Sequence, residues 1–128
     1  MLFRSWSHEL TRQLGSPVPL ETERGYHMML PSPGVEVRHY LSLGGWAVSP
    51  MDKGLRLAGT VELAGLSAPP NWKRAEILVE RAKRIFPGLD ARNASPWMGH
   101  RPSLPDSLPV ISASPHHRNA FFAFGASH

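Results

Sequence analysis

The sequence predicts an α+β fold in which an antiparallel or mixed β-sheet is flanked by helices. Three observations lead there. Glycine and proline number 11 and 13 of 128 residues, well above their usual joint share of about 12%, which favours turns and short strands over long helices. Between residues 25 and 63 several apolar or alternating runs are separated by turn residues, the pattern of strands. Near residues 72–86 the apolar positions instead repeat at helical spacing, with charges on the remaining face.

The elements follow in order. Trp6, Leu10 and Leu14 stand four apart with Gly15 after them, so a short amphipathic helix is predicted within 5–15. Pro17, Pro19, Glu21, Glu23 and Arg24 read as a connection, and Gly25–Leu30 as a mostly apolar strand ended by the turn Pro31-Ser-Pro-Gly34. Val35, Val37, His39 and Leu41 alternate with Glu36, Arg38, Tyr40 and Ser42, which predicts a half-buried strand over 35–43. Gly44-Gly45 interrupts it, Trp46–Val48 resumes it, and Pro50–Gly54 reads as a hairpin loop ahead of a strand over 55–63. Residues 23–66 therefore read as a β-meander. Asn71 is the predicted N-cap of a helix within 71–87, its core face built from Ala75, Leu78, Val79, Ala82, Ile85 and Phe86 and its stop from Pro87-Gly88. Five prolines between 96 and 115 leave room for short edge strands around 97–101 and 110–113. Ala120–Phe124 is a buried-strand candidate, so 95–125 reads as a set of returning strands. A core strand followed at once by Gly125-Ala-Ser-His128 is an odd place for a complete domain to stop.

A chain of 128 residues fits one domain and can bury a little over two-thirds of its unfolded surface. The absence of cysteine removes disulfides, thiolate nucleophiles and most structural zinc sites. No apolar run approaches the roughly 20 residues of a membrane span, and Arg4, His8 and Glu9 interrupt any signal core. A cytoplasmic protein without a membrane span is expected. The net charge of +4 comes from arginines scattered along the chain without a basic block or interleaved aromatics, so no nucleic-acid partner is expected. There is no GxGxxG or GxxxxGK[ST] phosphate loop. His116 and His117 are neighbours and cannot share one strand or helix face; they read as a polar loop, and no metal site is expected. No GxSxG elbow occurs, and Asp52, Asp90 and Asp106 are the only aspartates, which is little material for a triad. No catalytic side chain is assigned.

Arg101 stands apart. It ends a short strand and is followed by Pro102, a setting in which its planar fork can hold a carboxylate by two parallel hydrogen bonds. The alternatives are a solvated arginine or an ion pair with Asp106.

Four ordered strings then carry a resemblance: Glu23-Arg-Gly-Tyr-His27, Gly54-Leu-Arg-Leu-Ala-Gly-Thr-Val-Glu62, Trp97-Met-Gly-His-Arg-Pro102 and Leu104-Pro-Asp-Ser-Leu-Pro-Val-Ile111. Ser5-Trp-Ser7 and Ala120-Phe-Phe-Ala-Phe-Gly125 also match. The chain resembles the D-amino-acid dehydrogenase (small-subunit-like) branch of the FAD-dependent amino-acid oxidoreductases, the DAO family, over nearly its whole length. The resemblance implies the substrate domain of such a flavoprotein without its dinucleotide-binding Rossmann half, truncated at both ends. Leu2-Phe-Arg4 and Ala126-Ser-His128 depart from the family pattern, and Ser107 and Ser112 stand where glycine is usual.

Carried over by position, Arg101 is similar to the arginine that grips the substrate carboxylate, and Tyr26 and His27 would lie near the substrate pocket. His27 has an equal alternative as a packed sheet residue. Trp46 and Trp97 are expected in core packing, with the wall of an apolar pocket as the alternative, and Met28, Met29, Met51 and Met98 in core or loops. The implied reaction is oxidative deamination: hydride passes from the amino acid's α carbon to FAD, and the imino acid hydrolyses to keto acid and ammonia. The protein's part is orientation. FAD is the implied cofactor, with no cofactor-binding residue assigned in this chain. An amino acid is the implied substrate, and a flavin-binding domain supplied elsewhere or a second copy is the implied partner. An electron acceptor would bring peripheral contact with the inner membrane. The rival reading is a non-catalytic remnant or interaction module that associates through exposed sheet edges.

Overall fold

A computed structural model describes residues 5–127. Met1–Arg4 and His128, and with them the Leu2-Phe-Arg4 departure, lie outside the described residues. The chain runs α1 (Ser7–Gln13), β1 (Glu21–Leu30), β2 (Leu41–Ser42), β3 (Ala47–Met51), β4 (Gly54–Leu63), α2 (Lys73–Ile85), β5 (Ser95–Ser103), β6 (Val110–Ala113) and β7 (Phe121–Phe124). This is an α+β fold. A five-stranded sheet has the order β2-β3-β4-β1-β5, and β6 and β7 form a separate two-stranded sheet. The β2–β3, β3–β4 and β6–β7 pairs are antiparallel.

The chain groups into two compact units. The second takes in Gly25–Val61 and Pro69–Gly99, and the first takes in the rest. In the second unit α2 buries Ala75, Leu78 and Ala82 in one core with Tyr26, Met28 and Leu30 of β1, Val48 of β3 and Leu55 and Leu57 of β4. Alternate strand residues thus face the helix, and the opposite set does not. Trp46 and Leu89 complete this core, with Met98 packed against it. In the first unit Leu20, Leu104, Phe122 and Phe124 make a smaller core.

Three local readings change. Residues 35–40 form no strand, and only Leu41 and Ser42 pair, with Val48 and Ala47. Alternation alone does not make a strand without a partner for its backbone. The preceding turn is drawn away, since the Asp90 N–H donates to the Pro33 carbonyl at 2.7 Å, while Val35 and Val37 still pack on the core. Next, the β3–β4 connection is the two residues Asp52-Lys53, with Met51 opposite Gly54. Gly54 adopts φ +120, and a Cβ there would lie 2.1 Å from the Leu30 carbonyl oxygen, so only glycine fits. Third, Asn71 does not cap α2 with its side chain. The helix starts at Lys73, Trp72 is the N-cap, and the Asn71 carbonyl accepts the Arg74 N–H at 3.0 Å. At Ser107, where the resemblance expects glycine, φ is +59, so the turn keeps the left-handed conformation that glycine adopts more easily.

Candidate functional site

In the first unit Arg101 lies on β5, half-buried. Alternation turns its neighbour His100 to the other side of the strand. There the His100 Nδ1 stands 3.1 Å from the Thr22 hydroxyl, which donates onward to Ser5 Oγ at 3.3 Å. The Trp6 ring meets His100 edge-on, with centroids 5.9 Å apart. On the other flank, the Pro102 carbonyl accepts the Ser127 N–H at 3.1 Å. Ser103 Oγ donates to Glu23 Oε1 at 3.4 Å and bonds Ser127 Oγ at 2.6 Å. Both residues flanking Arg101 are therefore fixed, which limits how far its backbone can shift. Burial lowers the pKa of His100, and the Arg24 charge lowers it further, so the imidazole is neutral at pH 7.

Tyr26 and His27, in the second unit, are consecutive on β1 and project to opposite faces. Tyr26 is only 2% exposed, in the α2 core. Its hydroxyl accepts the Asn71 N–H at 3.0 Å, and its ring meets Trp72 edge-to-face at 6.2 Å. Tyr26 therefore fixes the entry to α2 from inside the core. His27 lies on the other face, stacked on Trp97 with centroids 4.8 Å apart and planes 18° from parallel. Burial, and after it the Arg56 charge, lowers the His27 pKa. Trp97 is 53% exposed and does not belong to the core as expected. Its indole lies over Gly99, where a Cβ would come within 2.1 Å of Cη2. The Trp-Met-Gly spacing makes room for the ring.

Sequence reasoning missed Arg24, which it placed in a connection. Arg24 is fully buried on β1. Nε donates to the Gly65 carbonyl at 2.8 Å and Nη2 to the Ala68 carbonyl at 2.6 Å, with Glu62 3.6 Å from Nη1. The even-numbered alternation Thr22, Arg24, Tyr26, Met28 was the available signal. It was masked because the inward residue is charged. Among the described residues no group of three or more His, Asp or Glu is placed to hold a metal ion, and no helix is long and apolar enough to cross a membrane.

A family model described as FAD dependent oxidoreductase matches residues 5–128, and the chain belongs to that family. It is 48% identical, over 128 aligned positions covering 95% of the chain and 30% of the relative, to a D-amino-acid oxidase of Bradyrhizobium diazoefficiens. It is 35% identical, over 83% of the chain and 26% of the relative, to a D-amino acid dehydrogenase of Paramagnetospirillum magneticum. Among solved structures, glycine oxidase from Geobacillus kaustophilus shares the fold with a TM-score of 0.75 at 20% identity, over 97% of this chain and 34% of that one. The chain thus spans between a quarter and a third of the length of the curated relatives it matches.

The family depends on FAD. A pyrophosphate needs a glycine-rich turn leading from a strand into a helix N-terminus. Here α2, the longer of the two helices among the described residues, is entered through Ala68-Pro-Pro-Asn71, which holds no glycine. The described residues do not fit the diphosphate of FAD.

Proposed function

We propose that this chain supplies the amino-acid-binding part of an FAD-dependent D-amino-acid oxidoreductase, and that Arg101 holds the substrate carboxylate. The whole protein would carry out oxidative deamination of a D-amino acid, with the flavin accepting the hydride. One observation carries the assignment for Arg101: both flanking residues are tied down, His100 to Thr22 and Pro102 to Ser127. A guanidinium on a fixed strand can present two parallel N–H groups to a carboxylate at little further entropic cost. His27 retains the pocket-lining role that the resemblance implies. Tyr26 supports β1 from within the core, as a positioning residue.

The rival reading, a non-catalytic interaction module, is favoured by the β6–β7 sheet, where Ile111 and Phe121 are 77% and 76% exposed. Titration of the 128-residue chain with D-alanine, followed by NMR, separates the two. Saturable binding that weakens roughly tenfold or more in Arg101→Ala supports the clamp, since a charge-assisted bidentate contact is lost. Equal affinity in the variant sinks it. The absorbance of the chain after incubation with FAD and desalting is expected to show no retained flavin, and retained bands would overturn the conclusion that the diphosphate has no cradle here.

A further inference from the structure

The β6–β7 sheet of the first unit has one covered face and one open face. Its register sets Val110 opposite Phe124 and Ser112 opposite Phe122. Phe122 and Phe124 lie in the core with Leu20 and Leu104, and Val110 packs against it. The alternate pairs, Ile111 with Ala123 and Ala113 with Phe121, therefore project outward. An antiparallel sheet with one solvated face ordinarily carries polar residues on it. Here all four outward residues are apolar and exposed, Ile111 at 77% and Phe121 at 76%. The one polar residue of the two strands, Ser112, alternates to the other side. No charge stands on the face to guard it against association. Folding of the unit does not account for such a face.

We propose that the outward face of β6–β7 is an isologous interface between two copies of this chain. The placement of the four side chains selects that partner. The large residues Ile111 and Phe121 occupy one diagonal of the face, and Ala113 and Ala123 occupy the other. A two-fold axis lying between two such faces along the strands sets Ile111 over the second copy's Ala123 and Phe121 over its Ala113. An axis across the strands sets Ile111 over Ala113 and Phe121 over Ala123. Either way each large side chain meets a small one, which is how facing sheets interdigitate. The same patch serves both copies, as a two-fold interface requires. The open surface also extends past these four residues. Phe121 and Ala123 line an apolar groove of about 560 Å³ against Leu10 and Leu14 of α1, and Leu10 is itself exposed. A standard interface takes roughly 800 Å² from each partner. Four side chains supply less, and the groove brings the total closer, so the dimer is reversible and not permanent. The interface uses no residue placed in the proposed amino-acid pocket and does not depend on that function.

Sedimentation equilibrium of the 128-residue chain from about 10 µM to about 1 mM tests the interface. A reversible monomer–dimer equilibrium is expected, stopping at the dimer because each copy's patch is then used up. Phe121→Ser, a change at an exposed position, is expected to weaken the dimer roughly tenfold or more. Ile111→Ser serves as the second variant and is expected to act in the same direction. Ala113→Leu separates shape from apolarity. It adds apolar area yet fills the hollow that receives a large side chain, so the dimer is expected to weaken here too. An unchanged far-ultraviolet circular dichroism spectrum shows that each variant folds. The proposal is overturned by equal dimerisation in Phe121→Ser and Ile111→Ser, or by tighter association in Ala113→Leu. A monomer at every concentration also overturns it and leaves the face to a partner other than a second copy. Growth beyond the dimer overturns it as well, and would place the contact at the open strand edges instead.

Discussion

Arg24 and Arg56 both rise from inner strands of the five-stranded sheet, β1 and β4, and the chain treats them in opposite ways. Arg24 is buried completely and meets two carbonyls and a carboxylate. Arg56 is half-buried and its Nε meets nothing in the described residues. The first arginine completes a structure. It gathers residues 62–68 around itself, and its charge is compensated where it stands. The second leaves a buried N–H without a partner. An uncompensated guanidinium is the more informative of the two, because folding alone does not account for it.

The comparison breaks most readily at Arg24. Arg24→Ala would strand the Glu62 carboxylate and the Gly65 and Ala68 carbonyls, a loss of about 3–5 kcal/mol. The urea midpoint measures it. Arg24→Met, which refills the volume, should recover part of that loss. Arg56→Gln should leave the midpoint within about 0.5 kcal/mol, since no partner is abandoned. Equal losses in both variants would erase the distinction between the two arginines.

A smaller effect is expected at Tyr26. Tyr26→Phe keeps the ring and its contact with Trp72 but removes the acceptor of the Asn71 N–H. A loss of about 1 kcal/mol follows. Amide exchange in the first turn of α2 should rise with it. No change in exchange there would show that Tyr26 does not hold the entry to α2.

These residues also show what the sequence discloses. The repeat that predicts α2 is a property of the segment itself, so Lys73–Ile85 falls inside the predicted stretch. The place of β1 beside β4 depends on which backbone is left without a partner, and no local pattern carries that. Alternation over 35–43 looked like a strand because Val35 and Val37 do pack inward, yet the backbone there finds no neighbour. Arg24 was hidden for the converse reason, a charge occupying an inward position of a true strand. Arg101 and His27 were visible through motifs, while the pairing of Arg56 with Ser49 required the β3–β4 register. Trp97 was taken for core because an exposed indole is costly in isolation. Its stack on His27 supplies the missing contact.

The histidines give a pH dependence of known sign. His27 and His100 both have pKa values below the ordinary 6.5, burial being the largest cause. Below pH 6.5 the unfolded chain takes up protons that the folded chain refuses. The unfolded state therefore binds more protons, and stability rises with pH. Their contribution is present in full above pH 6.5 and is lost as pH falls through the lowered values. The thermal midpoint of His100→Gln, whose amide can still meet Thr22, should fall less between pH 7 and 5 than that of the unchanged chain. A steeper fall in the variant would reverse the sign and remove the neutral imidazole from the argument.

The smallest effect is expected where an arginine has its acid but lies in water. Arg92 grips Asp90 through Nε and Nη2, the shortest contact being 2.7 Å. These hydrogen bonds push the Asp90 pKa down to about 2. Any stabilisation is present above the ordinary 3.8 and lost as pH falls toward 2. Solvent screens an exposed pair, and the ordering of the arginine offsets much of what the contact contributes. Asp90→Asn should therefore leave the urea midpoint unchanged at low and high salt, even as the carboxyl of the unchanged chain titrates near pH 2 by NMR. A salt-independent drop would show that Asp90 supports its loop through its bond to the Arg92 N–H at 3.0 Å and not through charge. Good geometry would then matter for an exposed arginine as burial does for Arg24, and the contrast would rest on hydrogen bonding alone.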